Sequence, residues 1–125
     1  MRFIATLLIL TIAVLHFYIA WFEIFAWQSR GPNVFSSFPV ELFEPTTAMA
    51  ANQGVYNAFL AIGLVWSRVI KDAEWATKIA TCFLLFVLIA GVFGAATVSV
   101  RILIVQAVPA LAALVCLLMS RGKQR

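Results

Sequence analysis

The sequence predicts an all-α integral membrane protein, a bundle of four transmembrane helices with both termini in the cytoplasm. Three observations lead to this fold class. Hydrophobic residues make up 64% of the 125 residues and charged residues 11%, and mean hydropathy is +1.03; soluble domains are about half apolar and about a quarter charged. Apolar stretches long enough to cross a bilayer recur along the chain. The basic residues lie at the ends of these stretches.

The first apolar stretch covers residues 3–27. As a helix it spans roughly 37 Å at about 1.5 Å per residue, enough to cross a bilayer with some tilt. Its start resembles a secretory signal peptide, but the stretch exceeds the usual apolar core of about 7–15 residues and contains His16 and Glu23. We therefore expect it to be retained as a membrane-spanning helix.

The remaining chain divides into a linker, three further helices and a tail within a single domain. Residues 28–45 form a polar linker with turn-forming residues, and its Phe side chains indicate that it lies on the membrane surface. We predict helices over 46–66, 75–99 and 100–119. A short charged turn separates the first two, and residues 120–125 form a basic tail.

The distribution of basic residues predicts the orientation. Four crossings place both termini and the charged turn on one side, and the linker 28–45 on the other. Cytoplasmic segments are enriched in Lys and Arg. Of the nine basic residues, Arg30 and Arg101 belong to the linker side, which we therefore predict to be extracytoplasmic. The cytoplasmic set consists of Arg2, Arg68, Lys71, Lys78, Arg121, Lys123 and Arg125.

Several classes of function are disfavoured by the sequence. The net charge of +4 is explained by membrane orientation, so we expect the lipid bilayer and no nucleic acid as a partner. Cys82 and Cys116 lie in apolar runs without another Cys or His at metal-ligand spacing, so we predict no metal site. No phosphate-binding loop, dinucleotide fingerprint or catalytic triad motif is present, and we expect no cofactor.

Polar side chains inside the apolar stretches are the candidate functional residues, because such groups are costly in a bilayer and need partners. Ala50–Asn57 is the most polar of these segments. In the predicted orientation, all the candidates fall in the extracytoplasmic half of the bilayer. We therefore predict a polar pocket there, with ligand-binding candidates Trp27, Asn52, Gln53, Tyr56, Asn57, Arg101 and Gln106.

Two pairings of charged or titratable residues follow from this placement. Arg101 is expected to form an ion pair with Glu23, or alternatively with Glu44, and the sequence leaves both open. His16 and Glu23 are seven residues apart and share a helix face at about 10 Å. They are the tentative catalytic residues, an acid/base couple that would need a substrate or water between them.

Three segments resemble a known family. They are LHFYIAWFEIFAW at Leu15–Trp27, AANQGVYNAFLAIGL at Ala50–Leu64 and GVFGAATVSVRILIVQAVPALAAL at Gly91–Leu114. Together they resemble the small four-helix membrane proteins of the domain of unknown function 1304 family, over nearly the whole chain and in order. The linker residues 36–44 fit the pattern least. The resemblance implies four membrane helices, and it implies no activity, substrate or cofactor.

Three functions remain open from the sequence. The first is binding of a lipid or small lipophilic molecule in the polar pocket; transport of a solute would require a homodimer, because four helices are few for a path. The second is a small membrane enzyme, an isomerase or cofactor-free oxygenase that uses His16 and Glu23 on a lipophilic substrate. The third is a structural or accessory subunit, in which the amides only hold helices together.

Overall fold

The computed structural model describes residues 2–121, and it confirms the all-α prediction. Four segments are long and apolar enough to cross a membrane: Arg2–Phe25, Thr47–Val69, Ala73–Thr97 and Leu103–Ser120. Residues 122–125 of the expected basic tail lie outside the described residues. The elements in chain order are α1 (Arg2–Phe25), α2 (Trp27–Val34), a 3-10 turn (Val40–Leu42), α3 (Thr47–Val69), α4 (Ala73–Thr97), a π-helical turn (Leu103–Ala107) and α5 (Val108–Arg121).

The four long helices form a bundle in which α1 packs against α3 and α5, and α4 packs against the same two helices. We call the end at which residues 26–46 connect α1 to α3 the linker end. The buried core lies in the opposite half, where the first halves of α1 and α4 meet the second halves of α3 and α5. It is built from Ile9, Leu64, Leu84, Val87 and Leu117 together with small residues that allow close helix contact, Ala5, Ala13 and Ala80, and it extends into the first half of α5 through Ala110 and Ala113.

The segment expected to be an irregular linker begins with a helix. α1 ends at Phe25, and Ala26 bends the chain with φ −126° and ψ 9° before α2 starts. Helical hydrogen bonds continue across the bend, since the Ala26 N–H donates to Phe22 O at 2.9 Å and the Arg30 N–H donates to Ala26 O at 2.9 Å. The chain therefore changes direction at the linker end with its backbone groups still paired.

The turn between α3 and α4 is fixed by a helix cap. Asp72 precedes α4, and its Oδ1 accepts a hydrogen bond from the Trp75 N–H at 2.8 Å, which satisfies one of the free donors at the helix start. Glu74 and Lys78 form an exposed salt bridge at 2.7 Å one turn later. The start of α4 is thus fixed by charged residues of the turn that follows α3.

The join between α4 and α5 contains the π-helical turn. Pro109 has no N–H and cannot donate the regular helical bond, and the preceding Val108 N–H donates to Leu103 O, five residues back. Gly91 of α4 lies against this turn, because a Cβ at position 91 would be 2.9 Å from Ala107 N. The absence of a side chain at Gly91 therefore allows α4 and the π-helical turn to touch.

Candidate functional site

Glu23 near the end of α1 is hydrogen-bonded to Asn57 of α3. The Asn57 Nδ2 group donates to Glu23 Oε2 at 2.8 Å, and it also lies 3.3 Å from the carbonyl oxygen of Gln53. Both side chains are half-buried. The Glu23 carboxyl group is thus held by an amide of the neighbouring helix, and the bond connects the two helices that pack most extensively in the bundle.

Gly54 allows this contact. A Cβ at position 54 would lie 2.7 Å from Ile24 Cγ1, 3.0 Å from Ala20 O and 3.2 Å from Glu23 Cβ. The α3 backbone therefore lies directly on α1, one turn before Asn57. This close approach brings the short Asn57 side chain within reach of the Glu23 carboxylate.

The linker folds over the bundle as an aromatic cluster centred on Trp27. The Trp27 Nε1–H donates to Thr46 Oγ1 at 3.0 Å, which ties the start of α2 to the start of α3. The Trp27 ring lies 5.1 Å from the ring of Phe43, and Phe38 lies 5.0 Å from Phe43 in an edge-to-face arrangement. Phe22 and Phe35 also contact Trp27, at 5.9 and 5.8 Å between ring centroids.

Between this cluster and the bundle lies an open cavity of about 510 Å³. It is formed where α1 ends, α3 begins and α4 ends, beneath the linker. Its apolar lining residues are Trp27, Phe35, Phe38, Met49, Ala50 and Val98. Its polar lining residues are Glu23, Ser37, Thr46, Gln53 and Thr97. A mostly apolar wall with a few polar groups is typical of small-molecule sites, and the volume falls in their usual range.

Neither of the expected ion pairs of Arg101 forms. No salt bridge joins Arg101 to Glu23 or to Glu44 in the described part of the chain, and the Arg101 side chain is exposed. The reason is that the close packing of α3 on α1 places Asn57 beside Glu23, and Asn57 forms the hydrogen bond to its carboxylate. Arg101 lies elsewhere, in the join before the π-helical turn. Arg101 is also absent from the lining of the cavity.

His16 lies away from the cavity, in the interior of the bundle. Its side chain is completely buried, and its Nδ1 lies 2.8 Å from the carbonyl oxygen of Ile12 on the same helix. That contact requires a proton on Nδ1, which in the neutral imidazole leaves Nε2 as an acceptor. Nε2 is buried without a hydrogen-bond partner among residues 2–121. The structure thus places Glu23 at the cavity and His16 elsewhere.

The polar stretch of α3 divides between different environments. Asn57 faces α1 and Gln53 lines the cavity, whereas Asn52 and Tyr56 are exposed and do neither. The Tyr56 ring contacts only its neighbour Phe59 among the aromatic side chains described, at 6.2 Å. Of the four polar residues, two therefore belong to the region around Glu23.

Gln106 has a role within the bundle. Its Nε2 donates to the carbonyl oxygen of Val87 on α4 at 3.1 Å, so it joins the π-helical turn to the neighbouring helix beside Gly91. Like Arg101, it does not line the cavity.

Sequence reasoning missed most of the cavity wall. Phe35, Phe38 and Ser37 come from the linker, and Thr97 and Val98 come from the end of α4. The available signal was the density of Phe in an otherwise polar linker, which was interpreted as contact with the membrane surface, whereas Phe35 and Phe38 line the cavity. Within residues 2–121, no group of three or more His, Cys, Asp or Glu side chains is placed to hold a metal ion.

Comparison with known proteins agrees with the resemblance noted from the sequence. A family model described as "Protein of unknown function (DUF1304)" matches residues 10–118. The chain belongs to this family. It is 27% identical over 117 residues to the Uncharacterized protein YpaA of Lactococcus lactis subsp. lactis (strain IL1403), a match that covers 92% of this chain and 97% of the relative. No solved structure matches the chain.

Proposed function

We propose that this protein is a multi-pass protein of the cell membrane that binds a lipid or small lipophilic molecule in the cavity beneath the linker. The observation that carries the proposal is the cavity itself. About 510 Å³ of open space lies among apolar and aromatic side chains, with Glu23 and Gln53 as polar contacts. A pocket of this kind buries an apolar ligand and orients it through few polar groups.

We propose further that both termini are cytoplasmic and that the cavity lies in the extracytoplasmic half of the bilayer. The support is the excess of Lys and Arg on the side of the termini and the α3–α4 turn. Reporter fusions test this orientation. A fusion after residue 71 is expected to report a cytoplasmic position, and an insertion after Asn33 an extracytoplasmic one. The reverse pattern would contradict it.

The binding proposal is tested by identifying what the purified protein retains. Ala50 lines the cavity and is almost completely buried, whereas Ala48 is exposed on the same helix. Native mass spectrometry of the wild-type protein is expected to detect a retained lipophile. Ala50→Phe should reduce this retention at least about tenfold, corresponding to about 1.4 kcal/mol, and the matched control Ala48→Phe should not.

A second variant that fills the cavity, Gln53→Phe, controls for the possibility that Ala50→Phe fails to fold. Gln53 is exposed to the cavity, so Gln53→Phe adds bulk without disturbing the helix contacts. Both variants should elute as the wild-type protein does in detergent. Equal retention of the same molecules in the wild-type protein and in both filling variants would contradict the proposal.

The alternative of an acid/base enzyme that uses His16 together with Glu23 has less support. A shared substrate would have to touch both side chains. Glu23 lines the cavity, but His16 is completely buried and its Nδ1 is engaged by Ile12. The geometry around Glu23 therefore favours ligand binding over catalysis by this pair.

A further inference from the structure

Glu23 is an acidic group without a cationic partner among the described side chains. The hydrogen-bond donor that it has among the described residues is the neutral amide of Asn57, at Oε2. No Lys, Arg or His side chain of residues 2–120 lies within salt-bridge distance of it. Acidic residues within membrane-spanning segments are rare, and they pair with other groups or mark ligand and ion sites.

The surroundings of Glu23 leave space for a cation. Glu23 lines the cavity, and it is the one residue with a charged side chain among the described lining residues. The wall therefore contains no basic group that would attract an anion or compete for the carboxylate. When Glu23 is ionised, an open cavity with this one carboxylate is electrostatically complementary to a ligand with one positive charge.

The aromatic part of the wall fits the same ligand. Trp27, Phe35 and Phe38 all line the cavity. Aromatic faces attract organic cations, Trp most strongly, and the attraction grows when the cation is removed from water. The Trp27 N–H is occupied by Thr46, so the indole offers the cavity its ring rather than a hydrogen-bond donor.

We propose that the cavity takes an amphiphilic organic cation, with a protonated amine or quaternary head against Glu23 and an apolar body against the aromatic wall. This inference rests on the proposed function and specifies the class of ligand. The same head chemistry occurs in small free cations and in lipids that carry an amine headgroup.

Three probes of similar size separate charge from hydrophobicity: the cation tetraphenylphosphonium, the anion tetraphenylborate and the neutral triphenylphosphine oxide. Their binding to the full-length protein in non-ionic detergent is measured by equilibrium dialysis. Tetraphenylphosphonium is expected to bind at least about tenfold more tightly than either of the others, a difference of about 1.4 kcal/mol.

The variant Glu23→Gln should reduce this preference to near unity while leaving the binding of triphenylphosphine oxide unchanged. The side-chain amide of Gln can still accept the hydrogen bond from Asn57, so the variant is expected to fold. Glu44 is exposed, does not line the cavity and lies at the same end of the bundle, so Glu44→Gln is the matched control and should retain the preference.

The outcomes distinguish the two proposals. Equal binding of the cationic and neutral probes, or tighter binding of tetraphenylborate, would overturn the cation inference and leave lipophile binding intact. Failure of all three probes to bind, together with an empty wild-type protein in mass spectrometry, would overturn both proposals.

Competition identifies the source of the cationic head. Displacement of tetraphenylphosphonium by short-chain phosphatidylethanolamine but not by phosphatidylglycerol would support a lipid amine. Displacement by neither lipid would support a small free cation. Displacement by phosphatidylglycerol alone would overturn the inference, because that headgroup has no positive charge.

Discussion

Asn57 donates a hydrogen bond to the Glu23 carboxylate across the α1–α3 interface at 2.8 Å. The bond joins two polar residues of helices that are long and apolar enough to cross a membrane, at the edge of the cavity. It satisfies one carboxylate oxygen and leaves the group free of any ion pair with the described residues. Glu23 is therefore positioned by a neighbouring side chain that carries no charge.

Loss of this bond should weaken the α1–α3 interface. We expect Asn57→Leu to lower the free energy of unfolding by about 1 kcal/mol, within the range measured for hydrogen bonds between membrane helices. Asn52 lies on the exposed face of the same helix, so Asn52→Leu is the matched control and should change stability little. Unfolding monitored by circular dichroism in mixed micelles measures both, and equal losses would refute the assigned role of Asn57.

The close approach at Gly54 should be intolerant of a methyl group. Gly54→Ala places a Cβ 3.0 Å from the backbone oxygen of Ala20 and 2.7 Å from Ile24 Cγ1, and such overpacking costs about 1–3 kcal/mol. Gly94→Ala is the control, because its nearest contacts are side-chain atoms of Ile102 at 3.2 and 3.3 Å and include no backbone atom. Thermal unfolding in detergent should show a lower midpoint for Gly54→Ala alone. A similar midpoint shift for Gly94→Ala would be inconsistent with the packing described.

Trp27 should hold the linker on the bundle. Trp27→Leu removes the hydrogen bond to Thr46 and the ring contacts with Phe43 and its neighbours, at an expected cost of about 2 kcal/mol. Hydrogen exchange measured by mass spectrometry should then show faster exchange over residues 28–46. Trp66 is half-exposed near the end of α3, and Trp66→Leu should leave the linker protected. Unchanged linker exchange in Trp27→Leu would show that the aromatic cluster does not hold it.

The helices were predictable because their signals are local. Long apolar runs bounded by charged or turn-forming residues indicated the spans, although α1 ends at Phe25 and the linker begins with α2, which the polar composition of residues 28–34 concealed. The last helix was predicted as one continuous segment over 100–119, because the π-helical turn and the bond from Gln106 to Val87 depend on how α4 lies against it.

Some residues of the candidate site, Glu23, Trp27 and Gln53, were predictable from the sequence, but the contacts among the site residues were not. Glu23 and Asn57 were both candidates, but their pairing depends on the rotation of α3 about its axis, which Gly54 determines through packing. Asn52 and Asn57 are alike in sequence terms and differ in the structure by which side of α3 they occupy. The expectation for Arg101 failed because opposite charge alone does not determine which helices touch.

The central claim is that a lipophile occupies the cavity beneath the linker. Site-specific photocrosslinking tests it directly, with p-benzoylphenylalanine placed at position 53, which lines the cavity, or at position 52, which is exposed beside it. Irradiation of the protein in native membranes followed by intact-mass analysis should give one dominant adduct at position 53 and the mixture of bulk lipids at position 52. The same mixture of adducts at both positions would contradict the claim.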